Sequence, residues 1–474
     1  MNSSLPSTPV LSVSSQEFRE LATRVVELAA QFYGRLEDLP AYPQTTGMQT
    51  LQAFGGPLPA AGMGAAALEA LERVVQLSRP PGPRFFGYVL GSGEPVAALG
   101  DLLASVINQN LTAWRSAPAG VAIERIVVGW IAEAIGCPHL TGSLCGGGST
   151  ANLMALAMAR EARLPANERG ARPGTVYVSS EAHMSMAKAV GLLGLGRDNM
   201  RIVPVDERLR MQVGALEHLI EADRATGREL VAVVASAGTV STGAIDPLQA
   251  IAAVCERHGL WMHVDGAYGA AAALACPEKF AGLERADSLS LDLHKWLYQP
   301  VDCGLLLFRD PARARAAFAY TGDYARVLEG ESIEGLAIFE ESLELSRRFR
   351  ALKVWLSLRY HGVQAFREAI RADLDHAAQL SLRIGECPEL ELLAPTDLSA
   401  VCFRYRGDGG AQDLDRLNGA ILKRVIDNGR VYLSNATVFG KVALRACFVN
   451  HRTRAADVAE IVSEVLQAGR AIAT

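Results

Sequence analysis

The chain has 474 residues, of which 50% are hydrophobic, 6% aromatic and 20% charged, an ordinary globular composition that excludes intrinsic disorder over most of the length. It carries 46 Lys and Arg against 51 Asp and Glu, a net charge of −5. The sequence has no cluster of basic residues that would attract nucleic acid or an anionic membrane. We therefore expect a small-molecule partner and neither nucleic acid nor a membrane.

The eight cysteines are spread without a Cys-x-x-Cys pair or a metal-ligand spacing. This spread indicates reduced, mostly buried thiols in a cytoplasmic protein and no metal site. Residues 1–16 are rich in Ser, Pro and Thr, without a basic segment or a sustained apolar run. They resemble neither a signal peptide nor a membrane span, and we expect a mobile tail.

The first predicted element is a helix over residues 18–39, where apolar side chains recur every three or four positions. A second helical pattern at 65–77 is followed by Arg-Pro-Pro-Gly-Pro at 79–83, which breaks the chain. We therefore predict an N-terminal helical arm over residues 1–85. It is too small to hold a good core alone, so we expect it to pack on another body, with a partner subunit as one candidate.

From residue 121 onward, short and mostly continuous apolar runs alternate with helical segments. Continuous apolar runs of this length are typical of strands that are buried on both faces of a parallel sheet. We predict a large α/β domain over residues 86–365. Its predicted strands are 175–178, 201–205, 230–234, 260–264, 288–291 and 304–308.

A helical pattern at 347–359 leads into the terminal part of the chain, residues 366–474. Apolar segments alternate with helical ones there too, and we predict a small α+β domain. Its predicted strands are 390–393, 400–404, 431–433 and 442–449.

Two ionisable side chains stand at the ends of predicted strands. Lys295 follows one strand in Asp-Leu-His-Lys-Trp at 292–296, and Asp265 ends another. Open α/β sheets bind ligands at the carboxyl ends of their strands. Considered alone, Lys295 could be an ordinary lysine exposed to solvent, without a role in binding. Asp265 could likewise be a turn residue that caps the next helix.

The third feature is Cys-Gly-Gly-Gly-Ser-Thr-Ala-Asn at 145–152, before a helical pattern at 153–160. Glycines let backbone N–H groups approach an anion, and a helix N-terminus completes a phosphate cradle. Alone, a Gly-rich turn is more often a tight connection, and this one lacks the Gly-Lys-Ser/Thr ending of a nucleotide P-loop. Together the lysine, the carboxylate and the cradle are what pyridoxal 5′-phosphate requires.

With these features the sequence resembles the group II pyridoxal-phosphate-dependent amino acid decarboxylases, which include aromatic-L-amino-acid, glutamate and cysteine-sulfinate decarboxylases. The resemblance runs from about Phe18 to the C-terminus. It implies the aspartate aminotransferase-like fold type I, with a mostly parallel central sheet, and a homodimer with active sites at the subunit interface. The motifs that carry it lie at 147–152, 238–247, 263–268, 292–296 and 347–353.

The resemblance also implies roles for single residues. Lys295 is expected to form the Schiff base with the cofactor, Asp265 to face its pyridine nitrogen and His183 to stack on its ring. Tyr324 falls where the family has a mobile-loop tyrosine that protonates the substrate carbon after CO₂ leaves. Lys295, His183 and Tyr324 are thus the expected catalytic residues. Further residues expected at the cofactor are Gly148, Ser149, Thr239, Ala267 and His294.

The substrate pocket is the ambiguous part of the resemblance. Phe85 and Tyr88 match pocket-forming segments of the family, and Trp114 stands in a segment like that of the aromatic-acid enzymes. Asn110 looks more like glutamate decarboxylases, because a buried amide selects a polar substrate, although it could equally be an interface amide. Arg445 stands where the family has an arginine near a carboxylate, or it makes a structural ion pair.

We therefore expect decarboxylation of an L-amino acid, with aromatic substrates ahead of acidic ones such as glutamate, aspartate or cysteine sulfinate. The alternatives are another fold type I lyase or aminotransferase, or a non-catalytic scaffold that binds the cofactor. The presence of both His183 and Tyr324 favours simple decarboxylation over oxidation to an aldehyde. Gly82 replaces a histidine usual in the family, and nothing in the sequence explains this departure.

Overall fold

The computed structural model describes residues 11–320, 333–407 and 413–473. The strands are β1 Thr141–Cys145, β2 Thr175–Ser179, β3 Met200–Val203, β4 Leu230–Ser236, β5 Trp261–Asp265, β6 Ser288–Asp292, β7 Gly304–Phe308, β8 Leu390–Leu392, β9 Ala400–Tyr405, β10 Ser434–Val438 and β11 Lys441–Cys447. The α-helices are α1 Ser15–Gly34, α2 Gly47–Phe54, α3 Ala70–Leu77, α4 Pro95–Ile107, α5 Pro118–Ala134, α6 Gly148–Arg163, α7 Ser185–Leu192, α8 Val213–Ala225, α9 Leu248–His258, α10 Leu293–Trp296, α11 Pro311–Phe318, α12 Ala351–Glu386, α13 Leu414–Asn428 and α14 Ala455–Ala473.

The central sheet has seven strands in the order β1-β7-β6-β5-β4-β2-β3. Strands β2 to β6 pair in parallel, whereas β7 is antiparallel to both of its neighbours, β1 and β6. The predicted mostly parallel sheet is therefore confirmed. Helices α5, α8 and α9 cover one face and α6, α7 and α11 cover the other, which explains the continuous apolar runs in the strands.

Sequence reasoning missed β1, because this strand is not an apolar run. It contains Gly142 and the buried Ser143, and among the strands that the structure describes it pairs with β7 alone. A Cβ on Gly142 would lie 2.1 Å from the carbonyl oxygen of Leu306, so the close approach of β7 requires glycine here.

A second sheet, with the antiparallel order β10-β11-β9-β8, packs against α12, α13 and α14. The strand predicted at 431–433 is wrong. That segment forms only an isolated bridge, in which the backbone of Tyr432 bonds the backbone of Arg84 and Phe86. The chain enters the sheet just after it, as β10, and returns as β11 through Phe439 and Gly440.

Helix α12 joins the two sheets. Gly362 interrupts it with φ 74° and ψ 153°. Helix α12 as a whole packs on α4 and α5 and also on β8, β9 and α14. The division of the chain at residues 85 and 365 stays a prediction.

The N-terminal segment holds α1, α2 and α3. Helices α1 and α3 lie close to the two predicted helical patterns, whereas α2 was not predicted. None of these three helices buries a single residue. Large apolar side chains therefore lie open, with Phe18 49% and Leu51 67% exposed. Residues 1–10 of the predicted tail lie outside the described residues. Over the part of the chain that is described, we find no helix with the length and apolar character needed to cross a membrane.

Candidate active site

A cavity of about 250 Å³ lies where β2, β4, β5 and β6 end, beside the start of α6. This is the crevice in which open α/β sheets bind ligands. All of the residues predicted to contact the cofactor line it, although the chain brings them from five separate segments. They are Lys295, Asp265, His183, Gly148, Ser149, Thr239, Ala267 and His294.

The Gly-rich turn forms one wall of the cavity. Gly147, with φ 144°, precedes α6, which begins at Gly148. A Cβ on Gly148 would lie 2.8 Å from the Cβ of Ala267 and 3.0 Å from Oδ2 of Asp292, so a side chain would fill the cradle. The N–H groups of the first turn of α6 have no partner within the helix, and the helix dipole is positive at this end. A phosphate group fits this arrangement.

Lys295 enters the cavity from α10, directly after β6. Its Nζ lies 2.8 Å from Oδ2 of Asp292, and its side chain is 19% exposed. The ammonium group is thus held at the cavity wall by a buried carboxylate and is reachable from the opening. An amine in this position can bind an aldehyde covalently.

Asp265 is held from two sides at the end of β5. Its Oδ2 accepts a hydrogen bond of 3.0 Å from Nδ2 of Asn152, and its Oδ1 accepts bonds of 3.2 Å from the Ser290 hydroxyl and the Ala267 N–H. Asn152 Oδ1 in turn lies 2.9 Å from Nε2 of His263. These contacts hold the carboxylate toward the cavity, where it can pair with a protonated ring nitrogen.

The two histidines of the cavity are shielded from water. Burial lowers the pKa of His183, although the charge of Asp265 opposes this shift. His183 Nδ1 lies 2.8 Å from the Ser185 hydroxyl. Burial also lowers the pKa of His294, whose Nδ1 accepts a 3.2 Å hydrogen bond from the Cys303 N–H. Burial thus favours the neutral form of both imidazoles, and the flat ring of His183 is suited to stacking on an aromatic cofactor.

Thr239 lines the cavity through the turn after β4. Its hydroxyl accepts a 3.2 Å hydrogen bond from the Ala244 N–H and lies 3.1 Å from the Thr242 hydroxyl. These bonds fix the turn, so Thr239 keeps its place beside the cavity.

The residues predicted to bind the substrate lie elsewhere on this chain, and none lines the cavity. Phe85 stacks on Tyr432 at a ring distance of 4.7 Å, and the Tyr88 hydroxyl lies 3.1 Å from the Tyr432 hydroxyl. Asn110 accepts a 2.8 Å hydrogen bond from the Arg347 N–H. The backbone of Trp114 donates to the carbonyl of Leu336 at 3.0 Å.

Arg445 is buried at the seam between the second sheet and the loop after β4. Its Nε donates to the Ser241 carbonyl at 2.9 Å and its Nη1 to the Tyr88 carbonyl at 2.9 Å. Its Nη2 is buried without a hydrogen-bond partner among the described residues. Tyr324, the predicted proton donor, lies outside the described residues.

Sequence reasoning assigned no role to several residues of the cavity wall, among them Asn152, Glu181 and Asp292. Asn152 stands one helical turn after Ser149, which would have placed it on the same face of α6. Glu181 precedes His183 by two residues and Asp292 precedes Lys295 by three. Nearness in sequence to a predicted site residue was the available signal in all three cases.

The family comparison agrees with this chemistry. The Pyridoxal-dependent decarboxylase conserved domain matches residues 70–406. An aromatic-L-amino-acid decarboxylase of Bacillus atrophaeus is 34% identical, with 96% of each chain covered. A tyrosine decarboxylase of Oryza sativa subsp. japonica is 33% identical, covering 96% of this chain and 91% of that protein.

Solved structures share the fold over nearly the whole chain. The structure of Oryza sativa TDC with PLP and tryptamine superposes with a TM-score of 0.91 at 26% identity, covering 98% of this chain and 100% of that one. The predicted fold type I and the predicted cofactor, pyridoxal 5′-phosphate, are both confirmed. The chain belongs to the pyridoxal-dependent decarboxylases and is a pyridoxal-phosphate-dependent amino acid decarboxylase.

Proposed function

We propose that this decarboxylase acts on an aromatic L-amino acid and releases the corresponding amine and CO₂. The observation that carries the proposal is the charge of the cavity wall. Among the described residues that line it, the acids are Glu181, Asp265 and Asp292, Lys295 is the sole amine, and there is no arginine. An acidic substrate side chain would meet like charges there. The aromatic substrates named for the two curated relatives support the same choice.

The roles of the cavity residues follow from their positions. When bound, pyridoxal 5′-phosphate supplies the conjugated ring that accepts the electron pair left by the departing CO₂. Lys295 would hold the aldehyde carbon of the cofactor, Asp265 its ring nitrogen, and Gly148 and Ser149 its phosphate. The neutral ring of His183 would cover one face, with Thr239, Ala267 and His294 at the edges. Tyr324 is the proposed proton donor to the substrate carbon.

A homodimer is part of the proposal, because the arm and α4 leave an apolar surface open. The exposed fraction is 56% for Leu99, 51% for Leu103 and 54% for Val106 on α4, and α1 to α3 bury nothing. A second copy of the chain would cover such a surface. We also propose a cytoplasmic location, which is supported by eight free thiols.

The predicted substrate residues fit this dimer. Tyr88 is 58% exposed, and Phe85, Asn110 and Trp114 lie on the same N-terminal third of the chain. We propose that these four residues complete the substrate wall at the subunit interface. Arg445 is proposed to approach the substrate carboxylate, because its Nη2 lacks a partner among the described residues.

The test is a substrate panel with purified holoenzyme. Tyrosine, tryptophan and phenylalanine are compared with glutamate, aspartate and cysteine sulfinate, and both CO₂ and amine are measured. We expect amines from the aromatic acids only, and neither products nor cofactor absorbance from Lys295→Ala. Release of CO₂ from the acidic substrates alone, or from none of the six, would show that the proposal is wrong.

A further inference from the structure

We propose that Glu181 selects the substrate side chain, accepting a hydrogen bond from an O–H or N–H group on the aromatic ring. The inference rests on the proposed function and refines it, since it names the chemical group that the preferred substrate must carry. Aromatic acids with a ring donor, such as tyrosine and tryptophan, are then favoured over phenylalanine.

The position of Glu181 is fixed by the end of β2. Its backbone N–H donates to the Ser179 hydroxyl at 3.3 Å, two residues before His183. The side chain is partly buried and lines the same cavity as Lys295. Burial raises the pKa of the Cys402 thiol of β9, and the charge of Glu181 adds to this shift.

Glu181 differs from the other ionisable groups of the cavity in having no partner. Asp265 is bonded by Asn152 and Ser290, and Asp292 is paired with Lys295. The Glu181 carboxylate makes neither a hydrogen bond nor an ion pair with any of the described residues. Burial raises the pKa of the Glu181 carboxyl.

The cofactor does not account for this carboxylate. Its aldehyde, ring nitrogen and phosphate correspond to Lys295, Asp265 and the start of α6, none of which needs a further acid. What remains for Glu181 is the substrate. A ligand that fills the cavity displaces the water that reaches this partly buried carboxylate. A donor on the ligand replaces the lost hydrogen bond, whereas a ligand without a donor leaves the carboxylate unpaired. Sites of this kind discriminate strongly against the analogue that lacks the donor.

Tyrosine and phenylalanine differ by one hydroxyl group, so they form the sharpest pair of probes. In Glu181→Met the acceptor is lost at nearly constant volume. We expect kcat/KM for tyrosine and for tryptophan to fall roughly ten- to hundredfold, and that for phenylalanine to stay within about threefold. Glu181→Gln keeps a neutral acceptor and should recover part of the loss. Cofactor absorbance and affinity should match those of the wild type in both variants.

The matched control is Glu221→Met, since Glu221 is exposed on α8 and does not line the cavity. It should leave all three substrates unchanged. An equal loss for tyrosine and phenylalanine in Glu181→Met, or no loss for either, would overturn the selection by Glu181. A wild-type enzyme that decarboxylates none of the three would instead overturn the proposed function itself, and this is seen before any variant is made.

Discussion

Asn152 links the groups that hold Asp265 in place. Burial lowers the pKa of His263 to about 4, so this imidazole is neutral. Its Nε2 lies 2.9 Å from Asn152 Oδ1, and its Nδ1 lies 3.0 Å from the Ser288 hydroxyl and 3.2 Å from the Ser288 carbonyl. With its carbonyl oxygen engaged, Asn152 can present only its amide N–H to Asp265. The chain of bonds therefore sets the direction in which the carboxylate faces.

Removal of this amide should weaken cofactor binding. Asn152→Ala leaves Asp265 with one supported oxygen, and we expect the Kd for pyridoxal 5′-phosphate to rise roughly tenfold, as for one lost hydrogen bond to a charged group. Titration of the apoenzyme, followed by cofactor absorbance, measures this change. Asn435→Ala on the exposed side of β10 is the control. An unchanged Kd in Asn152→Ala would mean that Ser290 and Ala267 hold the carboxylate without help.

At the scale of the elements, one methyl group added at the start of α6 should determine how tightly the cofactor binds. Gly148→Ala would place a Cβ against Ala267 and Asp292, at the wall of the proposed phosphate site. We expect at least a roughly tenfold weaker cofactor affinity, together with a less stable apoenzyme, because a Cβ 2.8 Å from that of Ala267 forces the local structure to shift. Gly129→Ala is the control, because Gly129 is exposed on α5 with nothing near its Cβ position. That change should stabilise the fold by roughly 0.5–1 kcal/mol. If Gly148→Ala bound the cofactor as tightly as the wild type, the assignment of this turn as the phosphate site would be contradicted.

Asp373 ties α12 to the segment after Lys295. The Nε1–H of Trp296 and the hydroxyl of Tyr298 both donate to its Oδ2, at 2.9 and 2.8 Å. Burial raises the pKa of Asp373 to about 7, above its value of about 4 in the unfolded chain. Its contribution to stability is therefore full below pH 4 and is lost as the pH rises through 7.

Asp373→Asn should expose this pH dependence. The variant loses hydrogen bonds at every pH but carries no titrating group, so its deficit in unfolding free energy should shrink from pH 4 to pH 8. We expect a change of roughly 1–3 kcal/mol. Urea unfolding of both proteins at several pH values, at one protein concentration, is the measurement. If the loss of unfolding free energy in Asp373→Asn did not change with pH, the pKa of Asp373 in the folded protein would lie outside the range tested.

Sequence reasoning succeeded where structure is set locally. The parallel strands are continuous apolar runs, and Lys295 and Asp265 stand at their ends, so the sheet and the core of the site were predictable. It failed where the structure of a segment depends on its pairing with residues distant in the sequence. Ser143 in β1 is buried by its pairing with β7, and Tyr432 is held by the chain around Phe85 rather than by a sheet. The substrate residues were predicted from resemblance, which says nothing about the subunit on which they act.

At the scale of the whole molecule, the proposed dimer buries the exposed apolar surface of α4 and the N-terminal arm against a second subunit. We expect Leu103→Glu on α4 to give a monomer in size-exclusion chromatography with light scattering, and to lower decarboxylation at least roughly tenfold. The side chain is 51% exposed, so a charge there should not disturb the fold of one subunit. Leu382→Glu on α12, 64% exposed, is the control and should stay dimeric. A Leu103→Glu dimer with normal activity would exclude this face from the interface.

A ribosome releases β1 long before β7, the strand with which it pairs in the central sheet. Gly304, the first residue of β7, lies against the backbone of Gly147, where a Cβ would come within 2.4 Å of the Gly147 Cα. The phosphate cradle therefore lacks one of its walls until residue 304 has emerged. The nascent chain must carry β1 unpaired while the 158 residues between these two strands are made, and the phosphate cradle cannot hold the cofactor before β7 has emerged.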